Sequence, residues 1–234
     1  MISGLQKMTL LDFPGKVACT VFLKGCNYRC PFCHNSELFL GMPETLMEEE
    51  VFLKFLRSRV GLLDGVCVSG GEPTLHPNLP DFLRKIKEMG YAVKLDTNGS
   101  RPEMLKRLAQ EGLLDHVAMD VKNSPSRYAQ TAGVEHLDLA KIEESLRFLI
   151  SGELSYELRT TLVSQLHDET SIREMGRWLQ DLVPGKKAKK LFLQSFVDRD
   201  TVVFAGFTPP EPETVEKYKE ILSSCVEEAS IRGE

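Results

Sequence analysis

Six short apolar, β-branched runs alternate with six amphipathic helical patterns, and this alternation limits the fold more than any other feature. The runs are Val17–Lys24, Gly65–Ser69, Ala92–Asp96, His116–Val121, Tyr156–Val163 and Leu191–Phe196. The helical patterns cover Thr45–Arg59, Leu79–Met89, Ser100–Gly112, Asp138–Ile150, Asp168–Leu182 and about Glu211–Glu228. Apolar residues recur at helical spacing in them: Val51, Phe52, Phe55 and Leu56, then Phe82, Leu83 and Ile86, then Leu139, Ile142, Leu146 and Leu149. Thr45 with Glu48 reads as a capping box, and Pro102 with Glu103 fits a first helical turn. Gly90, Gly112 and Pro184-Gly185 read as stops. Strands that alternate with helices run parallel, with the helices as crossovers. Six such units are too few to close an eight-stranded barrel.

In parallel barrels chemistry gathers at the C-terminal ends of the strands, and the polar motifs of this chain fall there. Cys26, Cys30 and Cys33 follow the first run in a C-x3-C-x2-C spacing, and Ser69-Gly70-Gly71-Glu72-Pro73 follows the second. Asp96-Thr97-Asn98-Gly99 follows the third, and Asp120-Val121-Lys122 closes the fourth. Arg159 lies within the fifth and Gln194 near the end of the sixth. Three thiolates on one short loop hold three irons of a cubane and leave the fourth iron open. Zinc is the competing reading, with His34 as a fourth ligand, although structural zinc usually draws its ligands from two separated pairs. A disulfide framework fits poorly, since the chain has six cysteines and no signal-peptide pattern.

Composition narrows the class. The net charge of −5 argues against electrostatic capture of nucleic acid, and no apolar run approaches the length of a membrane helix. A cytoplasmic protein is expected. Cys19 and Cys67 fall in apolar strand runs and Cys225 on the last helical stripe, where free cysteine acts as a small hydrophobe. His76 is placed to shape the Gly-Gly-Glu-Pro loop, while His116, His136 and His167 have no evident partner. Lys186–Lys190 reads as a solvated loop and Pro209–Pro212 as a stiff connector. The expected organisation is a main domain over 1–198 and, over 199–234, an extension whose amphipathic helix packs on it.

The cysteine triad, with Phe32 just before its third member, and the Gly-Gly-Glu-Pro segment together resemble the signatures of the radical S-adenosylmethionine (SAM) superfamily. That resemblance implies an open (βα)6 partial TIM barrel, one site-differentiated [4Fe-4S] cluster on Cys26, Cys30 and Cys33, and SAM chelating the unique iron. Gly70, Gly71 and Glu72 would receive the methionyl amino group. Asp12-Phe13-Pro14-Gly15-Lys16, Cys33-His34-Asn35, Leu95–Gly99 and Asp120–Lys122 are similar to stretches of the glycyl-radical-enzyme activases, nearest to those acting on anaerobic ribonucleoside-triphosphate reductase. The resemblance then implies reduction of the cluster by flavodoxin or ferredoxin, cleavage of SAM, and hydrogen abstraction from a partner's glycine. Phe32 would pack beside cluster or adenine. Asp96 and Asp120 would hold the SAM ribose or a monovalent cation, and Lys122 the SAM carboxylate. Arg159 calls for a carboxylate partner, from SAM or from the protein, and Gln194 for ligand or glycyl peptide. His34 is a packing residue in this reading, because a fourth protein ligand would block SAM. Two other readings stay open: a radical SAM enzyme acting on a small deazapurine precursor, and a non-catalytic zinc or iron–sulfur module.

Overall fold

The computed structural model describes residues 2–36, 46–202 and 204–232. The chain divides into two compact units, one of residues 1–27, 37–97 and 101–118, the other of 28–36, 98–100 and 119–234. The boundary expected at residue 198 falls inside the second unit.

The first unit is built on strands β1 (Ile2–Thr9), β2 (Ala18–Leu23), β3 (Gly65–Gly70) and β4 (Ala92–Thr97). β1 pairs antiparallel with β2, while β2, β3 and β4 run parallel, with Ala18 opposite Gly65 and Gly65 opposite Ala92. Buried side chains make β2 and β3 near-continuous apolar runs, as a sheet covered on both faces requires. Helices α1 (Glu49–Arg57), α2 (Leu79–Glu88) and α3 (Pro102–Gln110) bury one stripe each: Phe52, Leu53 and Leu56; Phe82, Leu83 and Ile86; Leu105 and Leu108. Phe52 meets Phe82 with ring centroids 5.7 Å apart. Each such side chain contributes about 1.5–3 kcal/mol by leaving water. The Asp12–Lys16 stretch is a turn whose Phe13 is buried against Gly65, and a Cβ on Gly65 would lie 2.9 Å from that ring.

The first helix departs from expectation. It begins at Glu49, and Val51 is 54% exposed while Leu53 is buried. The buried stripe is centred on Phe52 and Leu56, and Val51 lies on its outer margin. Thr45, the expected cap, lies outside the described residues. β1 was not anticipated, because Gln6, Lys7 and Met8 are exposed on this strand and blur any alternation.

The second unit carries β6 (Tyr156–Leu162), β7 (Lys190–Ser195) and β8 (Glu228–Arg232) in parallel register. β5 (His116–Asp120) contains the boundary between the units. The helices here are α4 (Tyr128–Ala132), α5 (Leu139–Ser151), α6 (Glu169–Asp181) and α7 (Pro212–Ser223). α6 starts with a reciprocal cap: the Asp168 carboxylate accepts from Ser171 N at 2.8 Å, and Ser171 Oγ accepts from Asp168 N at 3.2 Å. The short α4 and the strand β8 were not foreseen. The last helix stops at Ser223 rather than running to Glu228, and Cys225 lies just beyond it, buried against Gly176 of α6.

β8 is held by more than its ladder. Arg232 forms a two-pronged pair with the buried Glu157 of β6, at 2.8 and 2.9 Å, and its guanidinium lies 3.7 Å from the Phe192 ring centroid. Among the described residues no helix is long and apolar enough to cross a membrane. Arg232→Ala should lower unfolding stability by roughly 2–4 kcal/mol, because it removes the two-pronged partner of a buried carboxylate. A urea titration would check this, and Arg232→Lys should recover only part of the loss, since it cannot present two prongs.

Candidate active site

In the first unit the segment after β3 is stapled to the segment after β2. Gly71 N donates to Leu23 O at 2.9 Å, Glu72 N to Gly25 O at 2.8 Å, and His76 Nε2 lies 2.8 Å from Lys24 O. Cys26 follows directly. Gly70 has φ +119°, and a Cβ there would lie 2.3 Å from the Leu23 backbone; one on Gly71 would lie 2.0 Å from Gly25 O. Both glycines are therefore demanded by the approach of backbone to backbone, a role the sequence reading assigned only to a ligand.

Glu72 is wholly buried. Its Oε1 accepts from Thr74 N at 3.0 Å, from the Thr74 hydroxyl and from the Thr97 hydroxyl at 2.8 Å. The carboxylate thus caps the 3-10 turn Pro73–Leu75 and ties it to the end of β4. Asp96 accepts from Ser69 Oγ at 3.1 Å and from Lys94 Nζ at 2.6 Å. Lys94 is buried, with 1% of its side chain exposed, and sequence reasoning missed it. The available signal was a lysine two residues before a strand-end aspartate, hence on the same strand face.

In the second unit Cys30 and Cys33 share a tight turn, with Cys33 N donating to Cys30 O at 3.1 Å. The C-terminal end of α4 supports this turn: Arg29 N donates to Ala132 O at 2.9 Å, and the Cys30 thiol lies 3.8 Å from the same carbonyl. Gly133, at φ +67°, closes α4 so near the turn that a Cβ would lie 2.0 Å from Arg29 O. Phe32 packs edge-on to Phe196 at 6.5 Å, and His34 stacks on Phe196 at 5.6 Å while its Nε2 meets Val197 O at 2.6 Å. His34 is thus the packing residue expected of it.

Asp120 lies between two cations, Lys122 Nζ at 2.9 Å and Arg159 Nε at 3.2 Å. Arg159 thereby has a carboxylate partner within the protein. Burial works to lower the Lys122 pKa, yet Asp120 and Cys30 carry it above its ordinary value, so the ammonium stays charged. Burial raises the Cys33 thiol, opposed by the Asn35 backbone and by the Lys122 charge. His167, buried, accepts from Val163 N at 3.1 Å through Nδ1 and meets Lys122 O at 2.9 Å through Nε2. Burial lowers its pKa, so it is a neutral prop for the Asp120–Lys122 stretch. Its partners come from backbone, which no sequence pattern announces. Gln194 is half-buried on β7 opposite Thr161. Cys19, Cys67 and Cys225 are buried as expected, and burial pushes the Cys19 thiol up to about 12.

Soft thiolates with a lysine ammonium beside them suit an anionic iron–sulfur cluster. Among the described residues no three His, Cys, Asp or Glu side chains gather round a point that one metal ion would fill.

Comparison with known proteins agrees. Residues 20–164 match the Radical SAM superfamily. A putative glycyl-radical enzyme activating enzyme of Methanocaldococcus jannaschii is 33% identical over 188 residues, covering 77% of this chain and 76% of its own. Pyruvate formate-lyase 1-activating enzyme of Escherichia coli K12 is 26% identical over 94% of both chains. Among solved structures, Streptococcus suis SuiB bound to precursor peptide SuiA superposes with a TM-score of 0.69 at 12% identity, over 92% of this chain and 48% of that one. The chain belongs to the radical SAM superfamily and, within it, to the family of glycyl-radical-enzyme activating enzymes. Its fold is the open, parallel α/β partial barrel of that superfamily, and membership implies a [4Fe-4S] cluster and SAM.

Gly71→Ala should cost about 1–3 kcal/mol in urea unfolding, because the new methyl collides with a carbonyl that cannot move without dragging the cysteine loop. Iron bound per chain after anaerobic reconstitution should fall with it.

Proposed function

We propose that this enzyme installs a glycyl radical on a partner protein, and that the partner is an anaerobic ribonucleoside-triphosphate reductase. Cys26, Cys30 and Cys33 would hold the cluster as its three protein ligands. The cluster and SAM, when bound, would supply one-electron radical chemistry able to remove a hydrogen atom from a glycine Cα. A small acidic redox protein, flavodoxin or ferredoxin, would bring the electron.

The chain's own residues bind and orient. Lys122 and Arg159 both pair with Asp120, and the Lys122 charge acts on Cys33 in favour of its thiolate. That charge favours the cluster's thiolates and a SAM carboxylate alike. The Gly70–Glu72 loop and Asp96 would take the SAM amino group and ribose, with Phe32 packed against cluster or adenine. Asp96 and Asp120 each have a cation of the protein within 3 Å, so neither requires a monovalent cation for its charge. Gln194 would face the glycyl peptide. Relatives include activases of pyruvate formate-lyase and radical SAM enzymes of other kinds, so a glycyl-radical partner is supported by the activase relatives, and the choice of the reductase rests on the motif resemblance alone, most specific at residues 12–35.

The observation that carries this reading is the C-x3-C-x2-C loop, its start tied to the Gly70–Glu72 loop and Cys30 and Cys33 sharing one tight turn. The test is anaerobic: reconstituted, reduced protein is mixed with SAM and the anaerobic ribonucleotide reductase of the same organism. A glycyl-radical doublet should appear by electron paramagnetic resonance, together with 5′-deoxyadenosine, and should vanish when the reductase glycine is replaced. Deoxyadenosine without the doublet would move the search to another substrate. Cys30→Ala should abolish cluster and SAM cleavage together; retained cleavage would remove that ligand assignment.

A further inference from the structure

Lys94 has no place in the scheme so far, and its surroundings are unusual. A lysine with 1% of its side chain exposed is costly to bury unless it is paired. It points along the same strand face as Cys67, Ser69 and Asp96, with its Nζ 2.6 Å from Asp96 Oδ1 and 3.9 Å from Cys67 Sγ. Asp96 Oδ2 is held by Ser69 from β3 at 3.1 Å. The carboxylate keeps 15% exposure at the end of β4 while the ammonium lies beneath it. Lys94 thus lies below the strand end, and the carboxylate that connects it to the exposed end is Asp96.

We infer that Lys94 is a positioning residue, a built-in counter-ion that holds the Asp96 carboxylate aimed out of the strand end to receive SAM. A carboxylate clamped on one oxygen by an ammonium and on the other by a hydroxyl has its plane fixed. Its charge is also balanced without an ion from solution. The counter-ion is delivered by the chain at no translational cost, which a free cation would have to bear. The inference rests on the SAM-binding reading above.

The experiment measures SAM binding by equilibrium dialysis on anaerobic, cluster-loaded protein, with iron content determined in each sample. The parent should bind SAM with the same affinity in sodium, potassium or tetramethylammonium chloride at equal ionic strength. Lys94→Ala should weaken SAM binding by roughly tenfold or more, and ethylammonium or propylammonium chloride should restore most of it by refilling the vacated site. Tetramethylammonium, with no N–H to donate, should restore nothing. Lys94→Met keeps the volume and removes the charge; it should bind SAM as weakly as Lys94→Ala and gain nothing from amines. If Lys94→Ala loses its fold, the Lys94→Met comparison still decides. Parent-like SAM affinity in Lys94→Met, or a loss in Lys94→Ala that no amine repairs, would overturn the counter-ion role. A parent that carries its cluster and binds no SAM would instead overturn the SAM reading on which the inference stands.

Discussion

The backbone of Gly71 occupies a place where no side chain fits, pressed to the carbonyl of Gly25 just before the first cysteine. Three contacts, from Gly71 N, Glu72 N and His76 Nε2, tie the loop after β3 to residues 23–25. Parallel strands deliver both loops to the same end of the sheet, but delivery alone leaves them loose. Close backbone packing turns a flexible cysteine loop into one with a defined start. Gly133 does the same for the other cysteines, bringing the end of α4 against Arg29. Metal ligands on loops need such support, since a site an ångström too loose binds poorly.

The site's carboxylates are treated in two ways. Glu72 accepts from two hydroxyls and a backbone amide, and these bonds hold the turn that follows it. Asp96 and Asp120 are each set against lysine, and Asp120 against arginine as well. Buried ion pairs seldom stabilise a fold more than apolar packing of the same volume. Their presence at strand ends is therefore better explained by the charge they hold in place. Asp120 and its cations are propped in turn by Tyr128, whose hydroxyl donates to Asp120 O at 3.2 Å, and by neutral His167.

Most of this was legible in the chain. The strand runs at 65–69 and 92–96 lie inside β3 and β4, because apolar β-branched runs bounded by glycine leave few other choices. The cysteine spacing and the Gly-Gly-Glu-Pro loop stood out for the same reason: few residue types satisfy their chemistry. What stayed hidden depends on pairing across the sheet. Lys94 looks like any strand lysine until Asp96 and Ser69 are seen beside it. β8 looks like the tail of a helix until Arg232 reaches Glu157, and His167 finds its partners in backbone atoms alone. Val51 was misjudged because a helical stripe can be phased only when its neighbours are known.

Three cysteines as ligands would leave one iron of a cubane open to SAM. Mössbauer spectroscopy of anaerobically reconstituted, iron-57-labelled protein, recorded with and without SAM, tests it most directly. A [4Fe-4S] signal is expected in which about a quarter of the iron changes its isomer shift when SAM is added. A cluster whose irons are all indifferent to SAM, or protein that takes up zinc in place of iron, would contradict it.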